Sequence, residues 1–293
     1  MISPAQEADI LAKAYVPEHI VSLMALISGG DPFLLGDYLG FSGDNWLIFV
    51  GYPLDRDFSR EKCELILKQA IETYRPAHLR FIGPETPSFI ENPCTERESD
   101  RYYTLEIDPA GLKPSLRRIA VKASALRVEK GQTFSGQHEA LVAEFIGRIT
   151  LPPRVRELYR AMPDYIGRSP TAWTLNARDK AGNLCAFYIV DLGAVHFATY
   201  LLGAHSKRHY VSHASDLLFR EMIDLSLEHG KGVINLGLGV NEGIRRFKEK
   251  WGGIPSLRYE FCGYRYGAAG KVSLIDALMA RFLNGPEIPV RYS

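Results

Sequence analysis

Three strand-like runs in residues 171–204, TAWTLNARDKAGNLCAFYIVDLGAVHFATYLLGA, constrain the fold more than any other part of the sequence. The runs are rich in β-branched and aromatic residues, which are typical of strands. Turn residues at 179–183 and 192–194 separate them. Such short links join only antiparallel neighbours, so the segment is predicted to form a β-meander. Asp191 and His196 flank the second turn and are expected at the surface.

The residues after the meander alternate between helix and strand signals. A helix beginning near residue 216 has one broad apolar face, made of Leu218, Phe219, Met222, Ile223 and Leu225. Ser212 or Ser215 can cap its start, and Gly230 and Gly232 end it. VINLGL is then predicted as a strand, NEGIRRFKEKW as a helix and SLRYEFCGY as a strand. The order β-β-β-α-β-α-β predicts an α/β fold (α+β, with a mixed sheet) in which helices pack on the sheet.

The first half of the chain has weaker signals of the same kind. DNWLIFVGYP, AHLRFIG and RYYTLEI read as strands, and residues 59–74 read as an amphipathic helix opened by Ser59. Helices near 137–148 and 153–161 connect this half to the next. We therefore expect two units, a degenerate first domain over residues 1–150 and a second over 151–293.

Composition excludes several classes of protein. With 46% hydrophobic and 24% charged residues in 293, the chain has enough apolar material for a core, and its net charge of +1 gives no basis for binding nucleic acid over the whole surface. The start lacks the pattern of a secretory signal, and no apolar run is long enough to span a membrane. Four scattered cysteines without metal spacing fit a reducing compartment. We expect a cytoplasmic protein.

The glycines that follow VINLGL allow two interpretations. Gly237, Gly239 and Gly243 between a strand and a helix resemble a dinucleotide fingerprint, with Glu260 about 20 residues on. However, the last glycine is one position late, and too little chain follows to build a Rossmann sheet. The favoured interpretation is that the glycines let the strand bend and approach another group closely.

Lys248 lies on the apolar face of the following helix. Ile244, Phe247 and Trp251 share that face, whereas the other charged residues of the helix point elsewhere. One explanation is that the lysine stem packs while its charge reaches water. The other is that the ammonium points into a cleft, where it would stabilise negative charge in a reaction.

These residues carry a resemblance to the GNAT acyltransferase fold, which covers roughly residues 171–262. In that family the strand before the last helix is followed by Asn-x-x-Ala-x-x-x-Tyr-x-x-x-Gly-Phe. The positions are occupied here by Asn241, Ile244, Lys248, Gly252 and Gly253. FKEKWGG is similar to the Phe-Lys-x-x-Phe/Trp-Gly signature of FemABX-like proteins, which are tandem GNAT folds and include aminoacyl-tRNA-dependent transferases of cell-wall synthesis. The resemblance implies two tandem GNAT-like domains, with Lys248 handling the acyl or aminoacyl group.

The resemblance also implies a donor site for acetyl-CoA or another acyl-CoA, but the sequence departs from the family there. GNAT proteins carry Gln/Arg-x-x-Gly-x-Gly/Ala where the long helix begins, and SKRHYVSHASD contains no glycine. Asp216 in the first turn would repel a phosphate close by. The candidate donor-binding residues are Lys207, Arg208, Ser212, Ser215, Gly237, Gly239 and Asn241.

Two further residues are candidates for proton transfer. His213 at the start of the long helix would have its cationic form disfavoured by the helix dipole, so its neutral imidazole could act as a base; alternatively it is an ordinary loop histidine. Tyr200 either lines the cleft or belongs to the core. No metal site is expected, because His205, His209 and His213 lack a carboxylate at suitable spacing.

The sequence thus predicts an enzyme that moves an acyl or aminoacyl group from an activated donor to the amine of a small molecule or peptide. A basic segment could bind tRNA through Lys113, Arg117, Arg118 and Lys122, although such a charge run is also common on solvated helices. The alternative is a catalytically inactive GNAT fold that binds a ligand or partner, which the missing phosphate-binding glycines favour.

Overall fold

The computed structural model describes residues 2–108, 125–149, 151 and 153–266. Within this part of the chain the strands are β1 (Asp31–Leu35), β2 (Tyr38–Ser42), β3 (Trp46–Val50), β4 (His78–Gly83), β5 (Glu96–Glu106), β6 (Arg127–Gly131), β7 (Ala172–Arg178), β8 (Leu184–Asp191), β9 (Phe197–His205), β10 (Val233–Leu238) and β11 (Ile254–Arg265). The α-helices are α1 (Pro4–Lys13), α2 (Val21–Ser28), α3 (Arg60–Tyr74), α4 (Ser88–Glu91), α5 (Gly136–Arg148), α6 (Pro153–Arg168), α7 (Ala214–Glu228) and α8 (Glu242–Lys250). No helix among these residues has the length and apolarity needed to cross a lipid bilayer.

The described strands form one mixed sheet in the order β1-β2-β3-β4-β11-β5-β10-β9-β8-β7-β6. The predicted meander is confirmed, because β7 pairs antiparallel with β8 and β8 with β9. β10 then lies parallel to β9, as a crossover through α7 requires. The same arrangement is present in the first half, where β1–β3 are antiparallel and β4 runs parallel to β3 after α3. The predicted mixed α/β sheet of two similar halves is confirmed.

The last strand of each half lies in the sheet of the other half. β5 follows β4 in the chain, yet it pairs antiparallel with β10 of the second half. β11 follows β10, yet it pairs antiparallel with β4 of the first half. The two exchanged strands also pair with each other at the centre of the sheet. The halves therefore share one continuous sheet, and the boundary between residues 150 and 151 stays a prediction.

Helices cover both faces of the shared sheet. In the second half, α7 and α8 pack on one face through Leu218, Phe219 and Trp251, while α5 and α6 pack on the other. In the first half, α1 and α2 cover one face and α3 covers the opposite one. The apolar periodicity of each helix is thereby buried against strands, which accounts for the layered architecture.

Asp191 is buried, so the expectation that it lies at the surface is wrong. Its carboxylate accepts hydrogen bonds from Tyr165 Oη at 2.6 Å, Thr171 Oγ1 at 2.8 Å and the Gly193 amide at 2.8 Å. The two hydroxyl donors lie upstream, on α6 and just before β7, and no local pattern at the turn indicates them. Buried carboxylates are retained where such donors satisfy them.

Candidate functional site

The site lies where β9 and β10 separate. The two strands pair only over residues 197–199 and 233–235, although β9 continues to His205. Gly237 has φ +73°, and the pairing of β10 with β5 is irregular between Asn235 and Leu238. Asn235 Oδ1 accepts a hydrogen bond from the Gly237 amide at 2.8 Å, and this bond stabilises the bend. Glycine is suited to this backbone conformation, so the bend predicted for the strand is present.

The corresponding strands of the first half do not separate. β3 pairs with β4 as far as Val50 and Ile82, and the Gly51 amide continues the ladder to the Ile82 carbonyl. The ring of Phe81 packs against Gly51 and Gly83, where a Cβ atom would lie about 2.5 Å from that ring. The first half therefore has no opening at this position of its sheet.

A cavity of about 420 Å³ occupies the gap between β9 and β10. Its wall comes from β8, β9, β10, α5, α7 and α8 and is mainly apolar, with Phe145, Tyr188, Leu201, Phe219, Leu236, Ile244 and Phe247 among the residues that form it. The ionisable side chains in this wall are those of Lys248, His205, Tyr188 and Tyr200, and none of the residues lining the cavity is Asp or Glu. The cavity is of a size that suits a small ligand group.

Lys248 is buried in the wall of this cavity. Its side chain is 5% exposed, and Nζ donates a hydrogen bond to the Leu238 carbonyl oxygen at 2.6 Å. The ammonium also lies 5.6 Å from the centre of the Tyr103 ring. Of the two explanations for this lysine, a charge that reaches water is excluded, because the amine itself is enclosed.

Burial lowers the pKa of Lys248 from 10.5 to about 7, against the opposing attraction of the Asp100 carboxylate. The amine therefore changes its charge near neutral pH. Among the described residues, only Leu238 accepts one of its three N–H bonds, which leaves the others to meet a ligand atom when the amine is protonated. A group of this kind can stabilise a developing oxyanion in its charged form.

Tyr200 lines the same cavity. Burial, together with the neighbouring Tyr188 and Tyr159, raises the pKa of Tyr200 well above its usual value. Its ring stands edge-on to the Tyr188 ring at 4.9 Å between centroids, and Tyr188 Oη donates to the Ser215 carbonyl at 3.1 Å. The Tyr200 phenol therefore stays protonated and can donate a proton or a hydrogen bond into the cavity.

The start of α7 differs from both capping predictions. His213 is the N-cap residue, in a left-handed conformation with φ 66° and without a capping side-chain bond, so neither Ser212 nor Ser215 caps the helix. His213 Nδ1 lies 3.0 Å from Asp216 Oδ2. The local sequence does not reveal this because the residue at the cap has an uncommon backbone conformation.

Asp216 is buried at the helix start and is bonded within the protein, and its expected repulsion of a phosphate stays a prediction. The carboxylate is buried and accepts hydrogen bonds from Lys250 and from Trp251 Nε1, the latter at 3.1 Å. Burial alone would raise the pKa of Asp216, but the bonds from Lys250 and His213 outweigh it and lower the pKa. The charge of this residue is thus matched within the protein.

Comparisons with known proteins identify the fold. No protein-family model matches the sequence, and no curated protein does. Among solved structures, FemX aligns over 97% of this chain and 99% of its own, with TM-score 0.61 and 10% identity. A tandem GNAT protein from the clavulanic acid biosynthesis pathway aligns over 91% and 95%, with TM-score 0.55 and 16% identity. The chain has a FemABX-like, tandem GNAT fold.

A third solved structure is similar over nearly the whole chain. It is the C-terminal domain of a protein from Agrobacterium fabrum named for lysylphosphatidylglycerol synthesis. It aligns over 94% of this chain and 97% of its own, with TM-score 0.58 and 16% identity. At these identities the likeness establishes the fold alone.

Within this fold the predicted donor-binding residues are only partly brought together. Ser215 and Gly237 line the cavity with Lys248 and Tyr200, whereas Lys207, Arg208, Ser212, His213, Gly239 and Asn241 do not. Asn241 caps α8 by accepting the Ile244 amide at 3.0 Å. Gly239 packs so close to Asp100 that a Cβ atom would lie 2.8 Å from its Oδ1. Their roles in binding stay predictions.

Sequence reasoning missed the contribution of α5. Phe145 lines the cavity, and the neighbouring Glu144 accepts hydrogen bonds from the loop between β9 and α7. The amphipathic pattern predicted the helix, but nothing in the sequence relates Glu144 to a loop about sixty residues later.

Two further predictions concern the basic segment and a metal site. Lys113, Arg117, Arg118 and Lys122 lie outside the described residues. In the part of the chain that the structure describes, no group of three or more His, Cys, Asp or Glu side chains is arranged to hold a metal ion.

Proposed function

We propose that this protein is an acyltransferase that moves an acyl or aminoacyl group from an activated donor to an amine. The observation that carries the proposal is the buried Lys248 amine in the wall of the cavity between β9 and β10. Enclosing a lysine amine costs free energy because its charged form loses contact with water. Lysines in cavities whose pKa is strongly lowered are often functional. The FemABX-like fold supports the class of reaction, and the name of the Agrobacterium protein supports an aminoacyl group as one version of it.

The reaction requires little covalent chemistry from the protein. The acceptor amine attacks the carbonyl carbon of the donor, and the carbonyl oxygen gains negative charge. Lys248 in its protonated form donates hydrogen bonds to that oxygen, while the nitrogen loses a proton and the donor's leaving group departs. The Tyr200 phenol stays neutral because its pKa is raised, so it donates a hydrogen bond to the leaving group, which takes up the proton that the acceptor nitrogen loses. His213 lies outside the cavity wall, with Nδ1 3.0 Å from Asp216 Oδ2, so a role as base requires the acceptor amine to approach from the start of α7.

The cavity wall favours an acyl or aminoacyl group whose side chain is uncharged. Aromatic and aliphatic side chains form most of it, and its residues include no carboxylate that would pair with a cationic group. Acyl-CoA and aminoacyl-tRNA remain the two candidate donors, and a small molecule or peptide is the candidate acceptor. A cytoplasmic location also remains a prediction.

The proposal is tested by transfer assays with purified protein. Labelled acetyl-CoA and, separately, bulk tRNA charged with labelled amino acids are offered with a panel of small amines and short peptides. We expect transfer from one donor, and a loss of roughly 10²-fold or more in Lys248→Met, the size seen when an oxyanion donor is removed. Lys180→Met, in the exposed turn between β7 and β8, is the control for removing a lysine. Unchanged transfer by Lys248→Met would contradict the proposed role.

The second candidate function is a binding protein without catalysis. It is favoured by the start of α7, which lacks the phosphate-binding glycines. This candidate predicts saturable binding of a ligand with no transfer to any acceptor, equally in Lys248→Met and the unmodified protein. Calorimetric titration with both donors, in parallel with the transfer assay, distinguishes the two candidates.

A further inference from the structure

The loop between β9 and α7 contains a set of anion-binding donors that already hold an anion. Ser206 Oγ donates to Glu144 Oε2 at 2.8 Å, and the Arg208 amide donates to Oε1 at 3.4 Å. The Lys207 amide also donates to Oε1. Successive backbone amides with a hydroxyl beside them are the arrangement that proteins use to hold phosphate and carboxylate groups. Here the anion comes from the chain itself, on helix α5.

The surroundings of this cluster are suited to a negatively charged ligand. The Lys207 and Arg208 side chains are exposed, and the Arg148 guanidinium lies 4.0 Å from Glu144 Oε1. Ser206 is 2% exposed and its amide donates to the Cys185 carbonyl, so the loop is anchored to the sheet. Burial alone would raise the pKa of Glu144, but the bonds from the Lys207 and Arg208 amides and from Ser206 outweigh it and lower the pKa. Glu144 therefore binds as a carboxylate.

The cluster adjoins the cavity. His205 and Phe145 line the cavity with their rings 5.9 Å apart, and each is the chain neighbour of a member of the cluster, whereas Glu144, Ser206 and Arg208 line a separate pocket. A donor whose acyl group occupies the cavity and whose phosphate groups extend along this loop would meet the Glu144 carboxylate. The loop amides would already be bonded to Glu144, and the negative charge of Glu144 would repel the phosphates at short range.

We infer that Glu144 determines donor specificity by occupying the anion-binding amides of the β9–α7 loop, so that donors with a pyrophosphate at this position, such as acyl-CoA, are rejected. The inference rests on the proposed function, because it concerns the donor of the same cavity. It assigns the cavity to an activated acyl group whose phosphates lie elsewhere, as on a tRNA 3′ end.

The test is equilibrium binding of CoA, and of inorganic pyrophosphate, measured by calorimetry on Glu144→Ala, Glu144→Gln and the unmodified protein. We expect Glu144→Ala to bind each probe at least tenfold more tightly than the unmodified protein, and Glu144→Gln, which removes the charge but keeps an oxygen on the amides, to show a smaller gain. Glu144→Gln preserves the size of the side chain and an oxygen that accepts the loop amides, so it remains informative if Glu144→Ala disturbs the loop. Glu139→Ala removes an exposed carboxylate from the same helix and should leave both affinities unchanged.

Three results would overturn the inference. The first is that the unmodified protein binds CoA as tightly as the variants do. The second is that Glu139→Ala produces the same gain, which would show that the net charge of the protein is responsible. The third is that CoA affinity rises in the variants while pyrophosphate affinity does not. Because the readout is binding at the 206–208 loop, it does not depend on turnover in the cavity. Active transfer abolished by Lys248→Met, with no gain in the Glu144 variants, would leave the proposed function intact and remove only this inference. Transfer unaffected by Lys248→Met, together with tighter CoA binding by the Glu144 variants, would remove the proposed role of Lys248 and support this inference.

Discussion

Replacing Lys248 by methionine should make the protein more stable at neutral and mildly acidic pH. Methionine has nearly the same length and no charge, so it keeps the packing and removes the amine. The pKa of this lysine falls from 10.5 in its ordinary environment to about 7 in the folded protein, so the unfolded chain binds the proton more tightly. Between these values stability falls by about 1.4 kcal/mol for each unit by which pH decreases.

The magnitude follows from the size of the shift. At pH 6 the buried amine costs about 5 kcal/mol relative to a neutral side chain, and at pH 9 it costs about 2 kcal/mol. Loss of its hydrogen bond to the Leu238 carbonyl costs about 1–3 kcal/mol at any pH, since that oxygen loses a partner. The variant should therefore gain about 2–4 kcal/mol at pH 6 and differ little from the unmodified protein at pH 9.

Urea unfolding of both proteins at several values of pH from 6 to 9 measures the difference directly. The decisive quantity is how much the difference in unfolding free energy shrinks from pH 6 to pH 9, expected to be about 3 kcal/mol, because the packing and hydrogen-bond contributions cancel in it. Lys180→Met is again the control, as it removes an exposed lysine. A stability difference that is the same at pH 6 and pH 9 would refute the claim that Lys248 carries a strongly lowered pKa.

Four further results are expected. If protonated Lys248 stabilises the oxyanion, transfer should decline as pH rises through about 7, and a rate that rises there instead would assign the amine as a base. Tyr200→Phe keeps the ring and should lower the transfer rate by roughly 10–100-fold without changing the melting temperature. Gly237→Ala forces a side chain into a backbone with φ +73° and should lower the unfolding free energy by about 1–2 kcal/mol in urea titrations, which an unaltered midpoint would contradict. Replacing all of Lys113, Arg117, Arg118 and Lys122 by alanine should abolish tRNA retention in filter binding, and retention equal to that of the unmodified protein would remove tRNA as a partner.

Local patterns in the sequence were sufficient to predict most of the elements. The meander was predicted because its turn residues are close together, and α3, α5 and α7 because their apolar residues recur with the period of a helix. The position of Lys248 was readable for the same reason, since its neighbours on the helix face are apolar. Whether its amine reached water depended on the far wall of the cavity, which no helix pattern describes.

Contacts between distant parts of the chain could not be predicted in this way. β11 has the same composition whether it pairs with β10 or with β4, so the exchange of strands left no local signal. Asp191 and Asp216 read as surface or solvent-facing residues because their hydrogen-bond donors are separated from them in sequence. Glu144 is similar, because its function as a ligand of the 206–208 amides depends on how α5 packs beside β9.

The exchanged strands determine how this protein can move and how it can be divided. A hinge between the two halves would have to break the pairing of β5 with β11, a ladder that spans residues 96–104 and 254–263. Opening by rotation of whole domains is therefore disfavoured, and any motion that widens the cavity is expected to be local to its rim. Either half produced by itself would lack the strand that covers its β4 or β10, and that bare edge would be a template for aggregation. A single half is therefore not expected to fold as a smaller stable protein, although it contains its own set of helices and strands.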